Sequence, residues 1–196
     1  MNWNERFSEP GFAYGTEPND YLVSVVDRIP KGRILSLAEG EGRNAVYLAS
    51  LGYDMTAVDS SSVGLLKAQK LAVERGVNIT TIHADLAEFK IKPEQWEGII
   101  AFYCHLPSSI RIPLHQAVVR GLKPGGVFAL EAFTKEQIGN DTGGPKSLDM
   151  LMSLNELKSE CAGLVFIHAT ELQRDVHEGR GHTGLASVAQ ILGVKP

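Results

Sequence analysis

Apolar positions along this chain switch repeatedly between short continuous or alternating runs and spacings of three and four. Leu22, Val25, Val26 and Ile29 recur at helical spacing, so residues 19 to 29 are predicted as an amphipathic helix that Pro30 and Gly32 stop. A first strand is expected at about 33 to 37, a helix in RNAVYLASLGY ending near Gly52, and a second strand in DMTAVD at 54 to 59. SSSVGLLKAQKLAVERG reads as another helix, with serine caps at its start, Leu65, Leu66 and Val73 on one side and Gly76 past its end. NITTIHAD, GIIAFY at 98 to 103 and GVFALEAF at 126 to 133 supply three further strands, with a helix at about 109 to 121 between the last two. Strands alternating with helices predict parallel crossovers and a doubly wound α/β sheet, which binds ligands at the carboxyl ends of its strands.

After Phe133 the rhythm changes. IGNDTGGPKSLD at 138 to 149 has no apolar period and reads as a mobile loop, either a lid over substrate or an exposed crossover. Ser153 and Glu156 form a capping box for a short helix to about Cys161. LVFIHATELQRDVHEG and HTGLASVAQILGV, separated by a turn at Gly179 to Gly181, are expected to close the sheet as an antiparallel pair.

A chain of 196 residues, 43% hydrophobic and 21% charged, has the material for one good core, so one domain is expected. The net charge of −4 without a Lys/Arg block argues against a nucleic-acid partner. No run reaches the length of a membrane span and MNWNERFSEP lacks a leader's pattern, so the mature protein is expected to start there and to be cytoplasmic. Cys104 and Cys161 form no CxxC and the six histidines no HExxH, so no metal is expected.

Gly40-x-Gly42-x-x-Ala45, after a strand and before a helix, fits the dinucleotide fingerprint, and Asp59 ends the second strand where an acid can accept from ribose hydroxyls. Charge separates the candidate nucleosides: Glu39 and Glu41 oppose a pyrophosphate at the positive end of the following helix. An ammonium and a sulfonium without phosphate, the character of S-adenosylmethionine, suits this loop better.

Here the sequence resembles the class I S-adenosylmethionine-dependent methyltransferases, most of all their small tellurite-resistance-like and thiopurine-methyltransferase-like members. The usual first motif, close to LDLGCGxGRN, stands as Leu35-Ser36-Leu37-Ala38-Glu39-Gly40-Glu41-Gly42-Arg43-Asn44. Asp59 in TAVDSS matches the ribose-binding acid, Asp85-Leu86 in HADLAEF the adenine-holding motif, and GLKPGGVFALEAF at 121 to 133 the closing turn and fifth strand. WNERFSEPGFAYGTEPNDYL resembles the segment in which Trp3, Arg6, Tyr14 and Gly15 cover the cofactor, so the resemblance runs from about residue 3 to the end. Three positions depart from the pattern: Ser36 replaces the usual Asp, Ala38 the first Gly, and Glu39 the common Cys. Ala38 adds a methyl group where the backbone comes closest to the methionine moiety; Ser36 removes a charge that fixes the loop, and Glu39 is expected to return that acidity.

The resemblance implies a Rossmann-like, seven-stranded, mostly parallel sheet with a C-terminal antiparallel hairpin. A single domain over 1–196 would comprise a cofactor-covering segment and helix (1–31), a cofactor-binding core (32–133) and a loop, short helix and hairpin (134–196). S-adenosylmethionine would meet Trp3, Arg6 and Tyr14 from the first part, and Ala38, Glu39, Gly40, Gly42, Arg43 and Asn44 from the first motif. Asp59, Ser60, Asp85, Leu86 and Phe102 would complete its site. Asp59 and Asp85 have capping roles as alternatives, and Arg43, at a helix start where a cation is disfavoured, suits a ligand-binding or loop-fixing role.

Tyr103, Cys104 and His105 follow the fourth strand and emerge where a transferred methyl group would point. Tyr103 and His105 are the catalytic candidates, His105 as base or simply as a turn residue before Pro107, while Cys104 reads as an inward-packed hydrophobe. His177, Glu178, Arg180 and His182 cluster on the hairpin turn and suggest a substrate-facing polar patch; the spacing of the two histidines fits no metal site, and a solvated turn is the default reading. The expected activity is methyl transfer to a small-molecule acceptor, with no protein partner inferable. The rivals are a catalytically degenerate cofactor- or nucleoside-binding relative acting as a sensor or interaction protein, and an NAD(P)-dependent oxidoreductase, for which no Tyr-x-x-x-Lys pair is present.

Overall fold

In the computed structural model, which describes residues 2–140 and 142–196, the predicted alternation is realised as one seven-stranded sheet. Its strands are β1 (Arg33–Leu37), β2 (Asp54–Asp59), β3 (Thr80–His83), β4 (Trp96–Phe102), β5 (Leu122–Phe133), β6 (Val165–Glu178) and β7 (His182–Val194). Their order is β3-β2-β1-β4-β5-β7-β6, with β1 to β5 parallel and β7 running antiparallel between β5 and β6. The order reverses between β1 and β4, and at such a switch point the crossovers diverge to opposite faces and leave a crevice at the strands' carboxyl ends.

The helices are α1 (Trp3–Ser8), α2 (Asp20–Val25), α3 (Arg43–Ser50), α4 (Ser62–Glu74), α5 (Ser108–Gly121) and α6 (Leu154–Glu160). Leu35, Leu37, Ile99 and Phe128 pack with Leu114 and Val118 of α5 and Leu157 of α6 on one face of the sheet. Ile34, Met55, Ile100 and Ala129 pack with Leu22 and Val25 of α2 and Leu48 of α3 on the other. Because both faces are covered, the central strands read as continuous apolar runs.

Several expectations shift in detail. The helix expected over 19 to 29 is α2 followed by a 3-10 turn, Val26–Arg28, and the buried Asn19 caps it by accepting from the Leu22 amide at 3.1 Å. β5 begins at Leu122 rather than 126, because Leu122 pairs with Trp96 across an irregularity in the ladder. Trp96 is a core residue, with the Arg33 guanidinium 5.0 Å from its ring. The 138 to 149 stretch, of which Asp141 lies outside the described residues, follows one 3-10 turn and runs into another at Leu148–Met150. The expected capping box of α6 is present, with Ser153 and Glu156 bonded reciprocally. Among the described residues no helix is long and apolar enough to cross a membrane.

Candidate active site

The crevice at the switch point is a cavity of about 730 Å³, within the range typical of small-molecule sites. Its floor is the turn from β1 into α3. Glu39 is buried there, and its Oε1 accepts from the amides of Asn44 at 3.1 Å and Ala45 at 2.9 Å, while Oε2 accepts a short hydrogen bond from the Ser36 hydroxyl. The acidity missing at position 36 is thus returned from position 39, and it fills the amide positions at the start of α3 that a phosphate would use. Burial raises the Glu39 pKa against the lowering effect of these hydrogen bonds. Ala38, in the place of the family's glycine, is held at φ +52°, a left-handed conformation that a side chain disfavours.

Glu41 turns away from the helix, accepting from the Ala13 amide at 2.7 Å and from Lys67 at 2.8 Å, and so anchors the N-terminal segment. Gly42 does not line the cavity. At φ +97° it begins α3, and a Cβ there would lie 2.6 Å from the Ala68 Cβ, so its part is to let α3 and α4 meet. Asp59 lines the cavity and also braces the loop: Oδ2 accepts from the Gly40 amide at 2.8 Å and Oδ1 from the Ser61 amide at 2.7 Å. Asp59 thus braces the start of α4 while lining the cavity, and burial raises its pKa despite those bonds. Asp85 is exposed at the rim, where Oδ1 accepts from the Ala87 amide at 2.9 Å; Ser60, Leu86 and Phe102 line the same cavity.

Helix α1 forms part of the roof. Asn4 accepts from Ser61 at the start of α4 at 2.7 Å, Trp3 stacks on Phe7 at 5.4 Å, and the Arg6 guanidinium lies 5.3 Å from the Tyr14 ring. Two guanidinium nitrogens there are buried without a hydrogen-bond partner, Arg6 Nε and Arg43 Nη1, and both residues line the cavity. An unpaired buried cationic donor costs several times what a satisfied one does, so this pair fits an anionic ligand group.

Beyond β4 the candidates separate. Tyr103, at φ +55°, donates its hydroxyl to Glu131 Oε1 at 2.9 Å; burial first, and then the Glu131 charge, push its pKa well up, so it is a fixed donor. His105 faces the cavity with both ring nitrogens engaged: Nδ1 donates to the Met150 carbonyl at 2.9 Å and Nε2 accepts from the Phe133 amide at 3.3 Å. Burial lowers its pKa to about 4. With its one lone pair taken, His105 is poorly placed as a base and instead ties β4, β5 and the 3-10 turn at Met150 together. Cys104 is buried with its thiol pushed up to about 12, in keeping with an inward-packed hydrophobe.

The hairpin turn departs from the solvated patch expected of it. His177 is exposed and pairs with Asp175, but Glu178 and His182 are only 5% and 6% exposed. Glu178 Oε2 meets Arg43 Nη2 at 2.7 Å and His182 Nδ1 at 3.4 Å, and its Oε1 accepts from Asn19 at 2.8 Å. His182 lines the cavity, with ring centroids 4.5 Å from Tyr14 and 4.4 Å from Tyr103. Beneath them the buried Glu131 accepts from Arg174, Gln190, Asn19 and Tyr103. Sequence reasoning places Glu178 and His182 in a polar patch on the turn without their burial, and misses Arg174 and Glu131. A usable signal was the strand period, since residues 174, 176 and 178 share a face with the buried Val176.

Comparisons with known proteins agree with this geometry. Residues 34–126 match the family model of a methyltransferase domain. An uncharacterized methyltransferase, YodH of Bacillus subtilis, is 32% identical over 113 residues, covering 55% of this chain and 46% of that protein. A probable S-adenosyl-L-methionine-dependent methyltransferase, TehB of Haemophilus influenzae, is 23% identical over 159 residues, covering 80% of this chain and 54% of that protein. The crystal structure of that TehB superposes with a TM-score of 0.75 at 20% identity, over 99% of this chain and 66% of that one. The chain spans about half the length of these two curated relatives. Residues 34–126 are thus similar to a methyltransferase domain, and the chain is similar in sequence to YodH and to TehB, whose fold it shares; the TehB protein is named as dependent on S-adenosyl-L-methionine.

The residues present fit that cofactor: two unpartnered guanidinium nitrogens suit a carboxylate, a buried aspartate suits a ribose diol, and a helix start already closed by Glu39 suits a nucleoside without phosphate.

Proposed function

We propose that this protein transfers a methyl group from S-adenosylmethionine to a small-molecule acceptor in the cytoplasm. The observation that carries the reading is the conjunction, in one cavity, of the Glu39-closed start of α3 with the orphaned donors Arg6 Nε and Arg43 Nη1. Arg6 and Arg43 hold the carboxylate of the methionine part, Asp59 the ribose, and Asp85 with Leu86 the adenine, while Trp3 and Tyr14 cover it. The bound cofactor supplies an electrophilic methyl group on a sulfonium, which requires of the chain mainly orientation and exclusion of water.

The acceptor takes the remaining space between Tyr103, His105 and His182 and the stretch Gly143 to Ser147, which lines the cavity and supports the lid reading of that loop. The roof of α1 and the loop restrict the acceptor to something small. A pyrophosphate cofactor is opposed by the same Glu39, which sits where its phosphates would go.

Isothermal titration of the purified protein with S-adenosylmethionine and, separately, NADH tests the reading. Micromolar binding of the former alone, weakened at least tenfold by Asp59→Ala, is expected; binding of NADH instead, or of neither, overturns it.

A further inference from the structure

Methyl transfer to an acceptor that arrives with a proton needs a group to receive that proton, and the cavity wall near the end of β4 offers few. Tyr103 donates to Glu131, both nitrogens of His105 are bonded, and Cys104 is a buried neutral thiol. His182 differs. It starts β7, lines the cavity, and has its Nδ1 against Glu178, while among the described residues its Nε2 has no hydrogen-bond partner. Glu178 is itself fixed from the other side by Arg43 and Asn19, and the His182 ring is held between those of Tyr14 and Tyr103.

We propose that His182, oriented by Glu178, is the general base of this enzyme, and that its acceptors are nucleophiles protonated at neutral pH. This rests on the methyltransferase reading. The Nδ1–H tautomer selected by the Glu178 carboxylate leaves the Nε2 lone pair facing the cavity. As the acceptor's lone pair forms a bond to the methyl carbon and the carbon–sulfur bond breaks toward sulfur, the acceptor's proton passes to Nε2, and the imidazolium is stabilised by Glu178 until it releases that proton to water.

The groups around the ring poise it for this. Burial lowers its pKa, Glu178 raises it, and Arg43 on α3 and Arg6 on α1 lower it again, so the free base is the resting form. Tyr14, Tyr103 and His105 are its other titratable neighbours, and Arg180 and Lys146 line the same cavity. Arg43 is shared between the proposed cofactor carboxylate and Glu178, which links cofactor binding to the orientation of the base.

The test compares wild type with His182→Gln, after calorimetry with S-adenosylmethionine and thermal melting have established that both bind and fold. Absence of cofactor binding in the wild type refutes the methyltransferase reading itself, independently of the base. With cofactor bound, release of S-adenosylhomocysteine is followed for protic acceptors (simple phenols, alkyl thiols, imidazole) and for 4-nitrothiophenolate, already ionised at neutral pH. His182→Gln is expected to lose about 100-fold in kcat/KM on protic acceptors, to lose the acid limb of their pH profile, and to lose less than tenfold on the thiophenolate. Equal losses on both kinds, or an unchanged pH profile, overturn the proposal. If no acceptor is methylated, nitrogen NMR of the imidazole in the S-adenosylhomocysteine complex decides: a bare Nε2 whose titration moves on Glu178→Gln supports the assignment, and a protonated Nε2 at neutral pH overturns it.

Discussion

Glu39 Oε1 lies 2.9 Å from the Ala45 amide nitrogen, so a loop residue of the first motif acts as the cap of the helix that follows it. The same carboxylate bonds Ser36, the residue standing where the family places an aspartate. The two departures are therefore one coupled exchange: an acid moved three positions along the chain and still serves the loop.

Restoring the family pattern at one position alone is expected to harm. Ser36→Asp puts a second buried carboxylate against Glu39 and costs about 2 kcal/mol through the like-charge contact. Combining it with Glu39→Cys is expected to recover most of that loss, a coupling of about 1–2 kcal/mol between the two sites. Urea unfolding of the two single variants and the double variant measures it; strict additivity would show that the residues do not share one role.

Gly42 is expected to tolerate no side chain. Gly42→Ala forces a methyl group to 2.6 Å from the Ala68 Cβ and 2.7 Å from its Cα at a backbone φ of +97°. Overpacking and left-handed strain together predict a loss of about 3 kcal/mol. A loss under 1 kcal/mol in chemical denaturation would mean that α3 and α4 separate easily.

Glu131 is fully buried and depends on its donors, of which Arg174 supplies two contacts, at 2.7 and 3.0 Å. Arg174→Met is expected to destabilise the fold by about 3–5 kcal/mol by leaving that carboxylate uncompensated. Adding Glu131→Gln should return much of the loss. If the double variant is no more stable than the single one, the stranded charge is not the cause.

Acid should unfold the protein in two stages. The folded pKa of His105 is depressed by burial to about 4 from an ordinary 6.5, so its unfolded form binds the proton first, and stability falls as pH drops from about 6.5 to 4. Burial raises Glu178, but the His182 hydrogen bond and Arg43 outweigh it and hold the carboxylate at about 2; its contribution is present above pH 4.5 and lost between there and 2. Each stage is on the order of 3 kcal/mol. Denaturation midpoints against pH should lose part of the upper stage in His105→Gln, the rest belonging to the other buried imidazole, His182, and keep the lower one; an unaltered upper stage would assign it elsewhere.

The order of strands and helices is legible because β1, β2, β4 and β5 are largely buried runs punctuated by Pro, Gly and serine caps, signals local in the chain. The floor of the cavity is legible for a similar reason, since residues 38 to 44 are consecutive and Asp59 ends its own strand. Gly42 was read as a ligand contact because a glycine needed for helix packing looks the same in sequence as one needed for a ligand. Between a substrate-facing patch and a solvated turn the sequence does not decide for Glu178 and His182, because their burial comes from distant partners, Arg43 and Tyr14, which lie 135 and 168 positions away. His105 failed as a base for the same kind of reason: its nitrogens are taken by Met150 and Phe133, neither near it in the chain.

The Gly181 amide donates to the Ala13 carbonyl at 3.1 Å, and Gly179 packs so closely on Gly15 that a Cβ would come to 2.5 Å from its amide nitrogen. The roof of the cavity is thus stitched from two segments, residues 13–15 and 179–181, that lie far apart in the chain and emerge from the ribosome at well-separated times. A chain still on the ribosome with residue 170 at the tunnel mouth carries the whole first motif and the Glu41 anchor of its N-terminal segment, yet lacks the hairpin contacts of Ala13 and Gly15 and the partner of Arg43. Nascent chains stalled at that length should leave the cofactor unbound, and retention should begin only once the hairpin has cleared the tunnel, so that an unfinished copy holds back no cofactor.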